Sequence, residues 1–282
     1  MPVRPNTERP LGTFLDDLLA DARRRVEDAR ARESLDVLRG RAEGRAPAAG
    51  FREALAEPGV GVIAEIKRAS PSKGDLAPGI DAVEQARRYV EAGVAAISVL
   101  TEPDRFKGSL DDLEAVAGLG TPCLRKDFTV DAYQIWEARD RGAAAVLLIV
   151  AALDDDDLRR LHDEAAHAGL DVLVEVHDED ELHRALRIEP SIVGVNARDL
   201  RSFDVDRDAF ARLRPAIPEG ILAVAESGIR GPDDVLAAGE RGADAVLVGE
   251  TLVTASDPRA MATSLVAAGR AVAYPDEQGD DA

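Results

Sequence analysis

The stretch DRGAAAVLLIVAALDDDD, Asp140 to Asp157, decides how this chain is built. It opens at the end of a helix-like segment, where Gly142 suits the left-handed residue that closes a helix before the chain turns back. The apolar run AAVLLIV (144–150) follows, with the near-continuous hydrophobicity of a strand buried on both faces. Four aspartates, 154–157, then begin another helix-like stretch, where acidic side chains suit the helix N-terminus.

The same unit recurs along the chain. Apolar runs stand at VGVIAEI (60–66), AAISVL (95–100), TPCLR (121–125), DVLVEV (171–176), SIVGV (191–195), ILAVAE (221–226) and DAVLVG (244–249), eight in all. Glycine-marked helix ends also introduce the strands at EAGVAA (91–96) and ERGADAV (240–246). The spacing leaves room for a crossover helix between strands and is too long for hairpins. The expected fold is therefore α/β, a closed (β/α)8 TIM barrel. An open doubly wound sheet is the alternative, weakened because no GxGxxG follows the first strand. At 282 residues the chain fits one barrel of about 250 residues with short extensions. Residues 1–45, with Leu15, Leu18, Leu19 and Ala22 at helical spacing, read as an N-terminal helical extension packed on the barrel. Residues 46–270 read as the barrel and 271–282 as a disordered acidic tail.

Composition narrows the function. No apolar run approaches the roughly 18 residues of a membrane span, and MPVRPNTERPLGTF has no apolar signal region, so a soluble, cytoplasmic protein is expected. A formal charge of −19 would repel nucleic acid and anionic lipid. That acidic excess, with 4 Lys among 35 basic residues, reads as halophilic adaptation; a GC-rich genome is the other account of the missing lysines. The single cysteine, Cys123, reads as a buried small hydrophobe. His162, His167, His177 and His183 lack metal-ligand spacing and read as solvated, with no metal site expected.

Barrel chemistry sits where strands end. Those ends carry Glu65 and Lys67, Thr101 and Glu102, Lys126 and Asp127, Glu175, Asn196, Glu226 and Ser227, and Gly249 and Glu250. Strand residues two apart share a face, so Glu65 and Lys67 lie with Ile63, Lys126 with Leu124, and Glu175 with Leu173. These charges are expected to converge on the barrel mouth, although salt bridges along the rim would use the same residue types. Arginine cannot release its proton near neutrality and lysine can. Keeping Lys67, Lys73, Lys107 and Lys126 near one face suggests a proton donor, or an ammonium that grips phosphate or carboxylate. Gly228 and Gly249 stand at the last two strand-to-helix turns, the usual phosphate site of this architecture. Glu250 would have to turn its side chain away from such a phosphate.

The segments AEIKRASPSKG, SVLTEPDRFKGS, LRKDF, AVLLIV, EVHDEDEL, GVNARDL, VAESGI and LVGETL, in this order, resemble the indole-3-glycerol phosphate synthase family over about residues 10–265. The resemblance implies a lyase that converts 1-(2-carboxyphenylamino)-1-deoxyribulose 5-phosphate to indole-3-glycerol phosphate, losing carbon dioxide and water, in tryptophan biosynthesis, with no cofactor and no metal. It implies Lys126 as the general acid of ring closure and Glu175 as a proton-transfer group in dehydration. Lys67 would be a ligand of the substrate carboxylate or phosphate, or a further acid, and Glu65 would position the lysines. Ser70, Asn196, Glu226, Ser227, Gly228 and Gly249 would bind the substrate's polar parts; Phe106, Phe128 and Leu147 would form an apolar wall for its ring. A sugar-phosphate substrate is the only expected partner, and the protein would be a monomer or weak dimer. Another sugar-phosphate barrel, such as phosphoribosylanthranilate isomerase, and a non-catalytic phosphate-binding barrel are the rival readings.

Overall fold

The computed structural model describes residues 14–199 and 204–273. Eight parallel strands fall on the eight apolar runs: β1 (Gly61–Ile66), β2 (Ala96–Leu100), β3 (Cys123–Lys126), β4 (Ala145–Ile149), β5 (Asp171–Val176), β6 (Ile192–Asn196), β7 (Leu222–Glu226) and β8 (Ala245–Val248). Each pairs with its neighbours in sequence, and β1 closes the barrel on β8, with Ile63 opposite Leu247. This is the expected (β/α)8 architecture rather than an open sheet.

The stretch that set the fold behaves as its residues require. Helix α6 (Ala132–Asp140) ends before Gly142, whose φ of 81° lies in the left-handed region, and β4 follows. Asp154 caps α7 (Asp155–His167), its side chain accepting from the Asp157 N–H at 2.8 Å.

Strand alternation divides the core in two. Val62, Ala64, Val99, Val146, Leu148, Val174 and Val195 pack outward against the helices. Ile63, Leu124, Leu147, Leu173, Ile192, Val224 and Leu247 fill the interior, where alternate strands supply layers of side chains. Cys123 is buried, in the outer layer.

Among the described residues three helices precede β1: α1 (Phe14–Arg32), α2 (Leu35–Glu43) and α3 (Phe51–Leu55). The apolar face of α1, carrying Leu15, Leu18, Leu19 and Ala22, joins Phe128 and Val130 near the strand C-termini. Helix α2 packs on α6. Phe51 and Leu55 of α3 are buried with the interior cluster, and the Arg52 N–H donates to Asp171 at the start of β5 at 2.9 Å. The segment before β1 thus runs from the mouth of the barrel to its floor, which α3 closes. At the other end of the chain, α12 (Pro258–Ala273) carries residues 271–273, assigned from sequence to the tail; the remainder of that segment lies outside the described residues.

Candidate active site

The inward face that is apolar low in the barrel becomes ionisable at its C-terminal end. Lys126 closes β3 and points its Nζ at Glu175 Oε2 on β5, 3.0 Å away, and at Glu226 Oε2 on β7, 3.7 Å away. Glu65, at the end of β1, pairs with Lys67 at 2.6 Å and accepts from Ser98 Oγ at 3.4 Å. Asn196 Oδ1, ending β6, accepts from Ser227 Oγ at 2.8 Å and from the Arg198 N–H at 3.0 Å. Glu65, Glu175 and Glu226 are 4%, 1% and 2% exposed, so these carboxyls depend on one another and on the lysines for solvation.

Burial and charge pull against each other here. Burial disfavours the Lys126 ammonium, but Glu175, Glu226 and Glu65 outweigh it, and its pKa is raised. Burial would likewise push the Glu175 carboxyl up; Lys126, then His177, reverse this and leave it below the usual glutamate value. Glu226 goes the other way. Burial and the adjacent Glu175 charge, opposed only in part by Lys126, push it well above the usual range. The two carboxyls beside Lys126 are therefore pushed in opposite directions, Glu175 toward its charged form and Glu226 toward its neutral one.

These groups face a cavity of about 350 Å³. One wall is apolar: Phe106 and Phe128 stand with ring centroids 6.3 Å apart beside Leu147. Glu102 faces away from the cavity and builds this wall from behind, accepting the N–H groups of Arg105 and Phe106 at 2.7 and 2.9 Å. Arg25 of α1 reaches both Glu102, at 3.4 Å, and Asp127, at 2.7 Å, so the extension braces the loops that carry both rings. The opposite wall is made by turns. Ser227 (φ 67°) and Gly228 (φ 84°) both lie in the left-handed region; for serine this is strained backbone of the kind that collects at functional sites. Gly249 leaves space for a neighbouring pair, since a Cβ there would lie 2.4 Å from Glu65 Oε1 and 3.0 Å from Lys67 Nζ. Glu250 does not turn away from the cavity: it lines it, with its carboxylate bonded to Lys73 of the loop after β1.

A family model described as indole-3-glycerol phosphate synthase matches residues 15–265. The chain belongs to the indole-3-glycerol phosphate synthase family. It is 51% identical over 258 residues to the indole-3-glycerol phosphate synthase of Mycolicibacterium smegmatis and 50% identical to that of Mycobacterium avium, in each case over 91% of this chain and 95% of the relative. Solved structures at 16% identity share the barrel alone. 3-Hexulose-6-phosphate synthase from Salmonella typhimurium has a TM-score of 0.61, covering 74% of this chain and 98% of its own; thiamine phosphate pyrophosphorylase from Pyrococcus furiosus has 0.58, covering 79% and 99%.

The thirteen residues singled out from the indole-3-glycerol phosphate synthase resemblance all line this one cavity, as does Lys73. Lys107 does not; it pairs with Asp75. The cavity also takes in Arg198, Val205, Arg207, Ile229 and Arg230 from the loops after β6 and β7, which sequence reasoning missed. Only ARDL and SGIR, directly following strand ends, hinted at three of them, Arg198, Ile229 and Arg230. Among the described residues, six cations and five acids face the cavity, a balance opposite to the −19 of the whole chain. His177, read as solvated, is 12% exposed in its side chain and bonded to Glu181.

Proposed function

We propose that this cavity closes, decarboxylates and dehydrates 1-(2-carboxyphenylamino)-1-deoxyribulose 5-phosphate to indole-3-glycerol phosphate, the chemistry of the family, in the cytoplasm and within a barrel spanning residues 46–270. The observation that carries the reading is the Lys126–Glu175–Glu226 cluster facing an apolar wall across one cavity. Lys126 gives its proton to the substrate carbonyl oxygen as the ring carbon attacks the carbonyl carbon. Carbon dioxide then leaves with its bonding electrons retained by the ring. The new hydroxyl departs as water while a carbon-bound proton is lost, and Glu175, 3.0 Å from Lys126, moves the proton at this stage. Because nearby carboxylates keep Lys126 charged, the acid is loaded before substrate arrives. Its proton leaves only when negative charge develops on the oxygen beside it.

Phe106, Phe128 and Leu147 receive the aromatic ring. Excluding water there strengthens the charged contacts nearby. Lys67 takes the substrate carboxylate or phosphate, with Glu65 holding it, and Asn196 with Ser227 orients the sugar hydroxyls. Ser70 and the turns at Gly228 and Gly249 take the phosphate, helped by Lys73. The local excess of cations draws a multiply charged anion toward a mouth set in an acidic protein.

The experiment is conversion of this substrate by purified protein, followed by indole absorbance, with inorganic phosphate as competitor. Turnover with competitive inhibition is expected; binding without turnover would sink the reading. Gly228→Asp sharpens it. A Cβ at Gly228 meets nothing closer than Val205 Cγ1 at 3.7 Å, but its φ of 84° strains any side chain, so Gly228→Ala is the control, and relative to it KM should rise at least about tenfold with kcat less affected.

A further inference from the structure

His177 lies two residues beyond Glu175 and one past the end of β5, and it does not line the cavity. Its surroundings are specific. Nδ1 sits 2.9 Å from Glu181 Oε2, which also accepts the His177 backbone N–H at 2.9 Å. Glu181 is itself buried in the first turn of α8 (Glu179–Leu186), whose cap Asp178 accepts the Glu181 N–H at 2.8 Å. Glu181 is thus held at both ends, and its carboxylate clamps the imidazole.

The other ring nitrogen carries the consequence. His177 Nε2 and Glu175 Oε1 are both buried, neither has a hydrogen-bond partner among the described residues, and they face each other at 3.5 Å. Glu175 gives its Oε2 to Lys126. Two orphaned buried atoms of complementary chemistry, one a potential N–H donor and the other a carboxylate oxygen, form a hydrogen bond after a shift of a few tenths of an ångström.

We propose that His177, anchored by Glu181, is a positioning residue that orients Oε1 of Glu175 and sets when that carboxylate gains its proton. This rests on reading Glu175 as the proton-transfer group. The groups facing the pair are Glu181 on α8 and Asp199 in the loop after β6 on the histidine side, and Lys126, Glu226 and Asn196 on the glutamate side. Burial disfavours the imidazolium, but Glu181, Glu175 and Asp199 outweigh it and raise its pKa above the ordinary histidine value. The protonated ring in turn helps hold Glu175 ionised.

The test compares pH profiles of kcat and KM for the wild-type enzyme, His177→Gln, Glu181→Gln and Glu175→Gln, with His177 titrated by NMR in the wild-type protein. Losing the positive charge beside Glu175 should move the acidic limb of kcat in His177→Gln to higher pH by about one unit, with KM within about twofold. Glu181→Gln, which keeps the ring but weakens its charge, should move the limb the same way by less. In the wild-type protein His177 should titrate above the ordinary histidine value, and so above His162, whose pKa burial depresses. That arm does not depend on any variant folding. A His177→Gln profile that superimposes on wild type, or His177 titrating at or below His162, overturns the proposal while Glu175→Gln remains inactive. If Glu175→Gln keeps full turnover, the reading of Glu175 fails and takes the proposal with it.

Discussion

Four strands of this barrel change character within two residues. Ile63, Leu124, Leu173 and Val224 form a buried apolar layer continuous with the α3 plug; Glu65, Lys126, Glu175 and Glu226, one step further along the same inward lines, form an ionisable layer of three buried carboxyls and a partly buried lysine. Each side chain of the lower layer contributes about 1.5–3 kcal/mol on burial. An unpaired buried ion, by contrast, costs several kcal/mol even after relaxation. The upper layer is tolerated because Lys126 lies among its carboxyls and because burial and the neighbouring Glu175 charge shift Glu226 toward its neutral form. The floor holds the barrel together, and the rim uses the same rigid strands to fix proton donors and acceptors within hydrogen-bonding distance, with a precision that loops would not give.

The sharpest way to break this division is at Glu175. Glu175→Gln is close in shape and cannot accept a proton, so kcat should fall by about 100-fold or more while affinity for a product analogue stays within about tenfold. Binding that weakens as much as turnover would make Glu175 a ligand rather than a proton carrier.

A smaller effect separates the layers through stability. In the unfolded chain Glu226 ionises near the usual glutamate value, whereas in the fold its pKa is raised well above it. A raised carboxyl favours the fold below the unfolded pKa and loses stability as pH rises toward the folded one. Glu226→Gln removes that loss, so its Tm should exceed the wild-type value at pH 7 to 8 by a few degrees and the gap should close near pH 4. Thermal melts across that range check it; a gap that is constant with pH contradicts the assignment of the proton to Glu226.

Much of this arrangement was legible in the sequence, and the reason is periodicity. A strand's period of two is simple enough that Leu124 and Lys126, or Leu173 and Glu175, can be put on one face by counting, and glycine-marked helix ends such as Gly142 set where each count starts. Residues that reach the site from outside that pattern stayed hidden. Arg25 lies 77 and 102 positions from the carboxylates it grips, and nothing local announces the contact. Arg207 and Val205 sit in a loop whose path only tertiary packing fixes. His177 looked solvated because a histidine at a helix start usually is; its clamp by Glu181 depends on how α8 leaves β5. The balance of pKa influences on Lys126 was also unreadable, since it turns on distances to three carboxyls from three other strands.

The smallest expected effect concerns the surface rather than the rim. Self-repulsion among the carboxylates behind the −19 charge should ease as the Debye length falls from about 10 Å at 0.1 M to about 3 Å at 1 M salt. Tm should rise by several degrees over that range in potassium chloride, while KM for the anionic substrate also rises, because the same screening weakens its capture at the cationic mouth. A flat or falling Tm would leave genome composition as the account of the scarce lysines and remove halophilic adaptation.

The division between floor and rim is tested most directly on β3, where Leu124 and Lys126 are two residues apart. Turnover per folded molecule and Tm are measured together for Leu124→Ala and Lys126→Met. Leu124→Ala should lose about 2–5 kcal/mol of stability, lowering Tm by roughly 10 °C, yet keep turnover within about fivefold. Lys126→Met should remain folded at 25 °C and lose at least about 100-fold in kcat. A folded Lys126→Met with near wild-type turnover, or a Leu124→Ala whose turnover falls as far as that of Lys126→Met, would contradict the account.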